Sequence, residues 1–400
     1  MSTRIGTASA YATALSNLSQ RQSDLVTLQS QLTSGKRVNK ASDDPTAAAA
    51  AERATTRIAR IASDQRALDS QRDTMSTAES TLGDVTSAMQ SFRELVVSAG
   101  SGTLSDSDRA SIAQQLTSLR DEIFSYANKT DSNGVPLFGG LGSTTTPFSN
   151  TSTVVFQGLG GQRNGSTTTV APTIDGQAAF MNVPTGNGTF TVTTGASNTG
   201  TASSDAGTVT NPSAVTGDNY SIAFTVDPTT NATTYTVTNT TTSTAVVSNQ
   251  PYKDGQAIAF DGLSMTVSGT PKDTDTLTVA PSQRSDLFAT MDQIIGNIKS
   301  ATSATGSLPT QIAQSLSQID SGMARVSDAR GLAGDVLNQV DRISNAQSAQ
   351  STQLEAQRSS NEDLDMIQAV SDFSNKQTAY SAALSSYAQI QKLSLFNFIN

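Results

Sequence analysis

The sequence contains no cysteine, no histidine and no tryptophan among its 400 residues. Disulfide bonds are therefore excluded, as are zinc sites built on thiolate or imidazole ligands and every catalytic device that needs a histidine. Hydrophobic residues make up 36% of the chain and aromatic residues 5%. This composition favours an extended or modular architecture over one large core.

The chain also has little positive charge and no long apolar run. Its net charge is −9, and its densest basic cluster, Lys36, Arg37 and Lys40, stands beside Asp43 and Asp44. We interpret that cluster as a solvated turn or a protein contact, and we predict no nucleic-acid partner. No stretch approaches the roughly 18 apolar residues of a membrane span, so we predict no membrane insertion. The first ten residues hold no apolar run, so we expect no cleaved secretory signal.

Apolar residues recur with helical spacing near both ends of the chain. They repeat every seven residues from Tyr11 to Leu32, and in alternate steps of four and three from Met366 to Tyr387. Gln, Ser and Ala dilute both stripes, so each needs a partner, which is the other stripe or another subunit. We predict an axial assembly interface formed by Tyr11, Leu15, Leu18, Leu25, Leu28, Leu32, Met366, Val370, Phe373, Tyr380, Leu384 and Tyr387.

Helix start and stop signals set the boundaries of the predicted helices in the N-terminal and C-terminal segments. Gly35 ends the first helix, and Asp44 before Pro45 predicts a capped start for a second, long helix. A third helix follows Asp106. Helical periodicity returns at Asp286, and after a break at 306–309 one long helix is expected to continue into the terminal stripe.

The middle of the chain is rich in Thr, Ser, Gly and Asn and alternates like a β-sheet. The clearest predicted strands are 220–226 and 234–238, joined by a hairpin at 227–232. Parts such as 195–216 read as a low-complexity linker. The fold class is therefore mainly α with an inserted β-rich domain, on a long antiparallel helical bundle or coiled coil built from both terminal segments. The predicted domains are 1–44, 45–140, 141–283, 284–345 and 346–400.

Four segments carry a resemblance to a known family. They are Gln31–Pro45, Gly134–Gly140, Tyr252–Pro271 and Lys392–Ile399. Together they resemble the flagellin family of axial proteins, and within it the branch of hook-associated junction proteins. The third segment is similar to hook-associated proteins rather than to filament flagellins. Lys272, just after it, departs from the family pattern, and we interpret it as surface variation.

The resemblance implies a structural part of the bacterial flagellum that joins the hook side to the filament. It implies export through the flagellar apparatus and assembly as a ring of identical subunits. The implied partners are the first hook-associated protein, flagellin and a cytoplasmic export chaperone. The implied chaperone and axial tail consists of Leu393, Leu395, Phe396, Phe398 and Ile399.

No catalytic, cofactor-binding or metal-binding residue is predicted, and we expect no enzyme activity. The glycine-rich segment 158–165 fits neither a dinucleotide nor a phosphate-binding motif. We place Glu362, Asp363 and Asp365 on a solvated face of the last helix. A metallopeptidase insert is excluded because its motif needs two histidines. The alternatives are a divergent filament flagellin and a secreted adhesin on a helical stalk.

Overall fold

The computed structural model describes residues 7–101, 103–142, 146–150, 153–162, 170–171, 173–300 and 307–396. Helices dominate both ends of the chain and strands dominate its middle, which confirms the predicted fold class. The α-helices within the described residues are α1 (Thr7–Ser34), α2 (Pro45–Ala99), α3 (Asp106–Ala127), α4 (Leu287–Ser300), α5 (Ser307–Glu362) and α6 (Met366–Phe396).

The strands lie between α3 and α4, with a short π-helical turn at Gln177–Met181. They are β1 (Phe148–Asn150), β2 (Val154–Phe156), β3 (Val183–Pro184), β4 (Phe190–Thr194), β5 (Ser203–Ser204), β6 (Thr208–Val209), β7 (Tyr220–Val226), β8 (Thr233–Asn239), β9 (Thr244–Pro251), β10 (Gln256–Phe260), β11 (Leu263–Ser268), β12 (Thr276–Pro281) and β13 (Arg284–Ser285).

The chain forms two compact units. One contains the described residues up to Ala67 and those from Ile343 onward, and the other runs from Leu68 to Arg342. None of the helices that the structure describes is long and apolar enough to cross a membrane.

The larger unit has a helical core, here called the first core. α2 and α5 run antiparallel in it, because Arg72, Glu79 and Arg93 on α2 pair with Asp341, Arg330 and Asp320 on α5 at 3.5, 2.7 and 2.8 Å. These pairs lie on the exposed surface and contribute little energy, so the apolar contacts beneath them hold the helices together. Those contacts involve Met75, Leu82, Val85, Met89 and Phe92 of α2, and Ile319, Val326 and Ala333 of α5.

Phe288 is a hub of the first core. Its ring lies 5.5 Å from that of Phe124 on α3, 6.0 Å from Phe148 on β1 and 6.1 Å from Phe180 in the π-helical turn, measured between ring centroids. Aromatic pairs at these separations contribute to stability beyond the area that they bury. The ring thus ties three distant segments to α4.

A second core lies inside a pair of antiparallel sheets. One sheet has the strand order β4-β12-β7-β8-β9, and in the other β11 pairs with β10, β5 and β6. Alternate residues such as Tyr220, Ile222 and Phe224 point into this core. The predicted strands at 220–226 and 234–238 and the hairpin between them are confirmed.

The two cores divide the predicted domain 141–283 between them. Phe148, Phe180 and Val183 belong to the first core, whereas the second core begins at Phe190 and ends at Val279. Residue periodicity does not reveal this division, because the division depends on which core each short strand contacts.

The linker interpretation of 195–216 is wrong. This segment supplies β5 and β6, which pair with β11. The carboxylate of Asp275 accepts hydrogen bonds from the backbone N–H groups of Thr199 and Gly200 at 2.8 and 3.0 Å. Since the partners lie about 55 to 75 residues away, local composition could not reveal them.

The expected continuous helix at the end of the chain is also wrong. α5 ends at Glu362 and α6 begins at Met366. The Asp365 carboxylate accepts from the N–H groups of Ile367 and Gln368 at 3.0 and 3.1 Å, which is how a capping side chain starts a new helix. Glu362, Asp363 and Asp365 therefore lie at a break between two helices and not on one helical face.

Replacing Phe288 by alanine should destabilise the protein by about 3–5 kcal/mol, because the ring is fully buried in the first core and leaves a cavity. Urea unfolding measures the effect. The matched control is Val97→Ala on α2, whose side chain is 50% exposed and whose loss should change the free energy of unfolding by less than about 0.5 kcal/mol. An equal loss of unfolding free energy in the two variants would contradict the role of Phe288 as a hub.

Excising the second core should leave the first core folded. Thr189 and Ser282 flank it and are joined by a backbone hydrogen bond of 2.9 Å, so a short Gly-Ser linker can replace Phe190–Pro281. Removing 144–280 instead also deletes Phe148, Phe180 and Val183 from the first core. We expect cooperative unfolding in urea, measured by circular dichroism, only when Phe190–Pro281 is replaced. Equal free energies of unfolding for the two deletion variants would contradict the division into two cores.

Candidate assembly surface

The smaller unit brings the two ends of the chain together. α1 and α6 lie side by side and antiparallel, because Tyr11 contacts Tyr387 with ring centroids 5.3 Å apart and Lys376 lies 3.7 Å from Asp24. Leu28 of α1 and Ala369 of α6 are buried. The sequence left open whether the stripes pair with each other or across subunits; in this structure they pair with each other.

The predicted interface residues fall into two groups. The residues that are buried or half-buried in the single chain are Tyr11, Leu18, Leu25, Leu28, Leu32, Phe373, Tyr380 and Tyr387. The exposed residues are Leu15 (55%), Met366 (47%), Val370 (56%) and Leu384 (42%). Sequence reasoning thus combined two faces of α6 into one.

The seam that α6 turns towards α1 is shifted from the predicted one. Ala369, Lys376 and Ala383 alternate along it with Phe373, Tyr380 and Tyr387, again in steps of four and three. The two patterns share the three aromatic residues, whereas Met366, Val370 and Leu384 lie on the neighbouring, exposed flank. The prediction was based on large apolar residues and therefore did not include Ala369 and Ala383, which lie on the flank that faces α1.

The exposed flank of α6 forms what we call the outer stripe, made of Met366, Val370 and Leu384. At about 100° of rotation per residue, these three lie within about 40° of one another around the helix. Ile367, which is 87% exposed, borders the stripe. Exposed apolar rows of this kind mark contact surfaces more often than chance exposure does.

The predicted tail contributes nothing to this description. Leu393, Leu395 and Phe396 belong to the last turns of α6, and their side chains lie outside what the structure describes. Phe398 and Ile399 lie outside the described residues altogether.

A corner joins the segment just after α1 to the α5–α6 break. The N–H of Arg37 donates to the carbonyl of Glu362 at 2.7 Å, and the N–H of Leu364 donates to the carbonyl of Gly35 at 3.0 Å. The Lys36 ammonium pairs with the Glu362 carboxylate, and the Arg37 guanidinium donates to the carbonyl of Asn361 at 2.7 Å. Of the two interpretations of the basic cluster, a turn or a contact, the geometry favours a contact within the chain.

Asp44 links this corner to α2. Its carboxylate accepts from the N–H of Ala47 at 3.0 Å and from the hydroxyl of Thr46 at 2.8 Å, and lies 3.3 Å from the Arg37 guanidinium. The bond from the Ala47 N–H, followed by that from Thr46, lowers the pKa of Asp44 from its ordinary value of 3.8 to about 2. The predicted N-cap and the start of α2 at Pro45 are confirmed.

The described part of the chain has a polar cleft and no cluster of metal ligands. No group of carboxylates in that part could hold a metal ion. A cleft of about 190 Å³ between β4, α4 and α5 is lined by amides and hydroxyls such as those of Asn297, Gln314 and Thr193. Such groups form hydrogen bonds, but they do not make an acid and base pair.

The comparisons with known proteins agree with this arrangement of helices and strands. The model of the bacterial flagellin N-terminal helical region matches residues 5–143, and that of the C-terminal helical region matches 316–399. A model of the D2-like domain of flagellar hook-associated protein 1 matches 193–281. The predicted likeness of Tyr252–Pro271 to hook-associated proteins is thereby confirmed.

Individual relatives narrow the assignment. Flagellar hook-associated protein 3 of Salmonella typhimurium is 38% identical over 153 residues, 36% of this chain and 46% of that protein. The chain therefore aligns with less than half the length of this curated relative. The solved structure of flagellar hook-associated protein 3 from Legionella pneumophila is 30% identical, covers 76% of this chain and 97% of its own, and has a TM-score of 0.71.

The chain belongs to the family of flagellar hook-associated protein 3. Another solved structure, FlgL of Xanthomonas campestris, is 29% identical with a TM-score of 0.67, and the alignment covers 77% of this chain and 99% of that one. The alignments with these two solved structures thus cover about three quarters of this chain.

Acid should weaken the corner through Asp44. Because its pKa is lower in the folded chain, Asp44 contributes stability that is present above pH 3.8 and is lost as the pH falls towards about 2. We expect the urea-unfolding free energy of the wild type to fall more steeply from pH 4 to pH 2 than that of Asp44→Asn. Asparagine is an equally good N-cap that does not titrate. Parallel pH profiles would contradict this role.

Proposed function

We propose that the protein is a structural subunit of the bacterial flagellum that joins the hook to the filament. The observation that carries the proposal is the alignment, at 30% identity, with 99% of the chain of a solved flagellar junction protein, FlgL from Legionella pneumophila. The protein then acts by packing against neighbours and needs no catalytic group. Its place of action is outside the cell, in the flagellar axis.

The outer stripe of α6 is the surface that we assign to subunit assembly. The inner seam of α6 is occupied by α1 within the chain, whereas Met366, Val370 and Leu384 remain exposed. Burial of a side chain such as Val or Leu contributes about 1.5–3 kcal/mol, and a closed ring repeats that contribution in every subunit. Leu15 on α1 is a further exposed candidate for the same surface.

The partners follow from this role. A subunit at the junction contacts copies of itself, the first hook-associated protein on one side and flagellin on the other. Before assembly an exposed apolar row needs cover, so a cytoplasmic export chaperone that binds α6 and the tail from Leu393 to Ile399 fits the same surface. Export through the flagellar apparatus completes the proposal.

A deletion strain tests the function directly. Cells that lack the protein should keep their hooks, release flagellin into the medium as monomer and lose motility, and the wild-type gene should restore all three properties. Electron microscopy and the flagellin content of the medium measure the outcome. Normal filaments in the deletion strain would refute the proposal and would favour a divergent filament flagellin instead.

A charge in the outer stripe should block assembly without unfolding the subunit. Val370→Asp places a carboxylate in the stripe, while Asn375→Asp adds the same charge to an exposed position more than about 100° away around α6. Both purified variants should match the wild type in helical content and unfolding temperature. Only Asn375→Asp should restore motility to the deletion strain, since burying an unpaired charge costs several kcal/mol in each subunit. Restored motility with Val370→Asp would remove the stripe from the interface.

A further inference from the structure

Asparagine followed by glycine occurs three times in the sequence, at Asn133, Asn164 and Asn187. In such a pair the glycine nitrogen can attack the asparagine side chain, because glycine has no side chain to shield that nitrogen or to restrict the backbone. Asn164 lies outside the described residues. The other two pairs occupy similar turns but differ sharply in what holds the asparagine side chain.

Asn133 lies at the tip of an exposed turn between α3 and β1. The side chain of Asp131 holds the turn, because its carboxylate accepts hydrogen bonds from the backbone N–H groups of Asn133 and Val135, both at 2.8 Å. Gly134 has φ +78° and donates its N–H to the Asp131 carbonyl at 3.1 Å. Within the part of the chain that the structure describes, no group hydrogen-bonds to the side-chain amide of Asn133. This amide is free to rotate in solvent.

Asn187 is held in place by four hydrogen bonds. Its side-chain oxygen accepts from the N–H groups of Thr189 and Phe190 at 3.0 and 2.9 Å. Its side-chain nitrogen donates to the carbonyls of Ala206 and Gly207 at 3.1 and 3.0 Å. Gly188 donates its N–H to a carbonyl three residues earlier at 3.2 Å, much as Gly134 does. The two pairs therefore differ mainly in the freedom of the amide.

We propose that Asn133 is a site of spontaneous deamidation in the folded protein, and that Asn187 is protected. The Gly134 nitrogen loses its proton and attacks the side-chain carbonyl carbon of Asn133, which forms a C–N bond and releases ammonia. The resulting succinimide ring takes up water and opens to aspartate or isoaspartate. No oxidant, metal or enzyme is needed, and the reaction leaves one negative charge more than before.

The product changes the turn in two ways. A new carboxylate stands two residues from Asp131, so like charges repel in a turn that Asp131 organises. Isoaspartate also lengthens the backbone by one methylene between the bridge of Thr130 with Pro136 and the tip. Subunits would accordingly acquire an acidic, altered turn with age. This inference is independent of the proposed function.

The test compares the two sites in the same molecule. The full-length protein is kept at mildly alkaline pH, either native or unfolded in urea, and peptides containing Asn133 and Asn187 are followed by mass spectrometry with time. In urea both sites should react at similar rates. In the native protein Asn133 should react at least about ten-fold faster than Asn187, because the Asn187 amide must first break its four hydrogen bonds.

Isoelectric focusing of the intact protein gives a second readout. All of the compared proteins carry Asn164→Gln, which removes the third pair. The native protein with Asn133 should then accumulate an acidic form that comigrates with its Asn133→Asp variant, and Asn133→Gln should accumulate much less of it, because the six-membered ring from glutamine forms slowly. Equal native rates at the two sites would overturn the proposal, as would an acidic form that grows unchanged in Asn133→Gln.

Discussion

The backbone hydrogen bonds at the corner are the contacts on which the terminal helices depend. They join Gly35 and Arg37 to Leu364 and Glu362, so they close a loop of more than 300 residues. The entropy cost of such a closure grows only with the logarithm of its length. Once the corner has formed, α1 and α6 leave it as neighbours. The apolar stripes of α1 and α6 are too dilute to stabilise isolated helices. Once the two helices are neighbours, the stripes need to stabilise only their local contact.

Local signals in the sequence predicted a large part of the fold. Asp44 before Pro45 marks a helix start because the cap and the first helical position obey rules that involve neighbouring residues alone. Alternation through Tyr220, Ile222 and Phe224 marks a strand whose one face meets a core. The terminal stripes likewise marked the helices at both ends of the chain, and the predicted aromatic residues Phe373, Tyr380 and Tyr387 are half-buried in the structure.

What escaped prediction is decided by distant partners. Whether Ala383 or Leu384 faces α1 depends on how closely two helices can approach, and a stripe of large apolar residues does not report this. The cap at Asp365 resembles many aspartates inside helices, and it becomes a break only because Gly35 and Arg37 engage the residues just before it. Phe148 and Phe180 looked like parts of the β-rich domain because their strands are short and the ring they meet, Phe288, lies more than 100 residues further along the chain.

The pairing of α1 with α6 also fixes an order of events for the growing or emerging chain. The second core uses residues 190–279 alone, a contiguous segment that can fold as soon as it is complete. The partner of Tyr11 is Tyr387, near the opposite end of the chain. If the N-terminus emerges first, α1 therefore stays without its partner until α6 has emerged. Contacts between residues so far apart in the sequence form late and slowly. α6, which follows every other described helix along the chain, is the helix that completes this pairing.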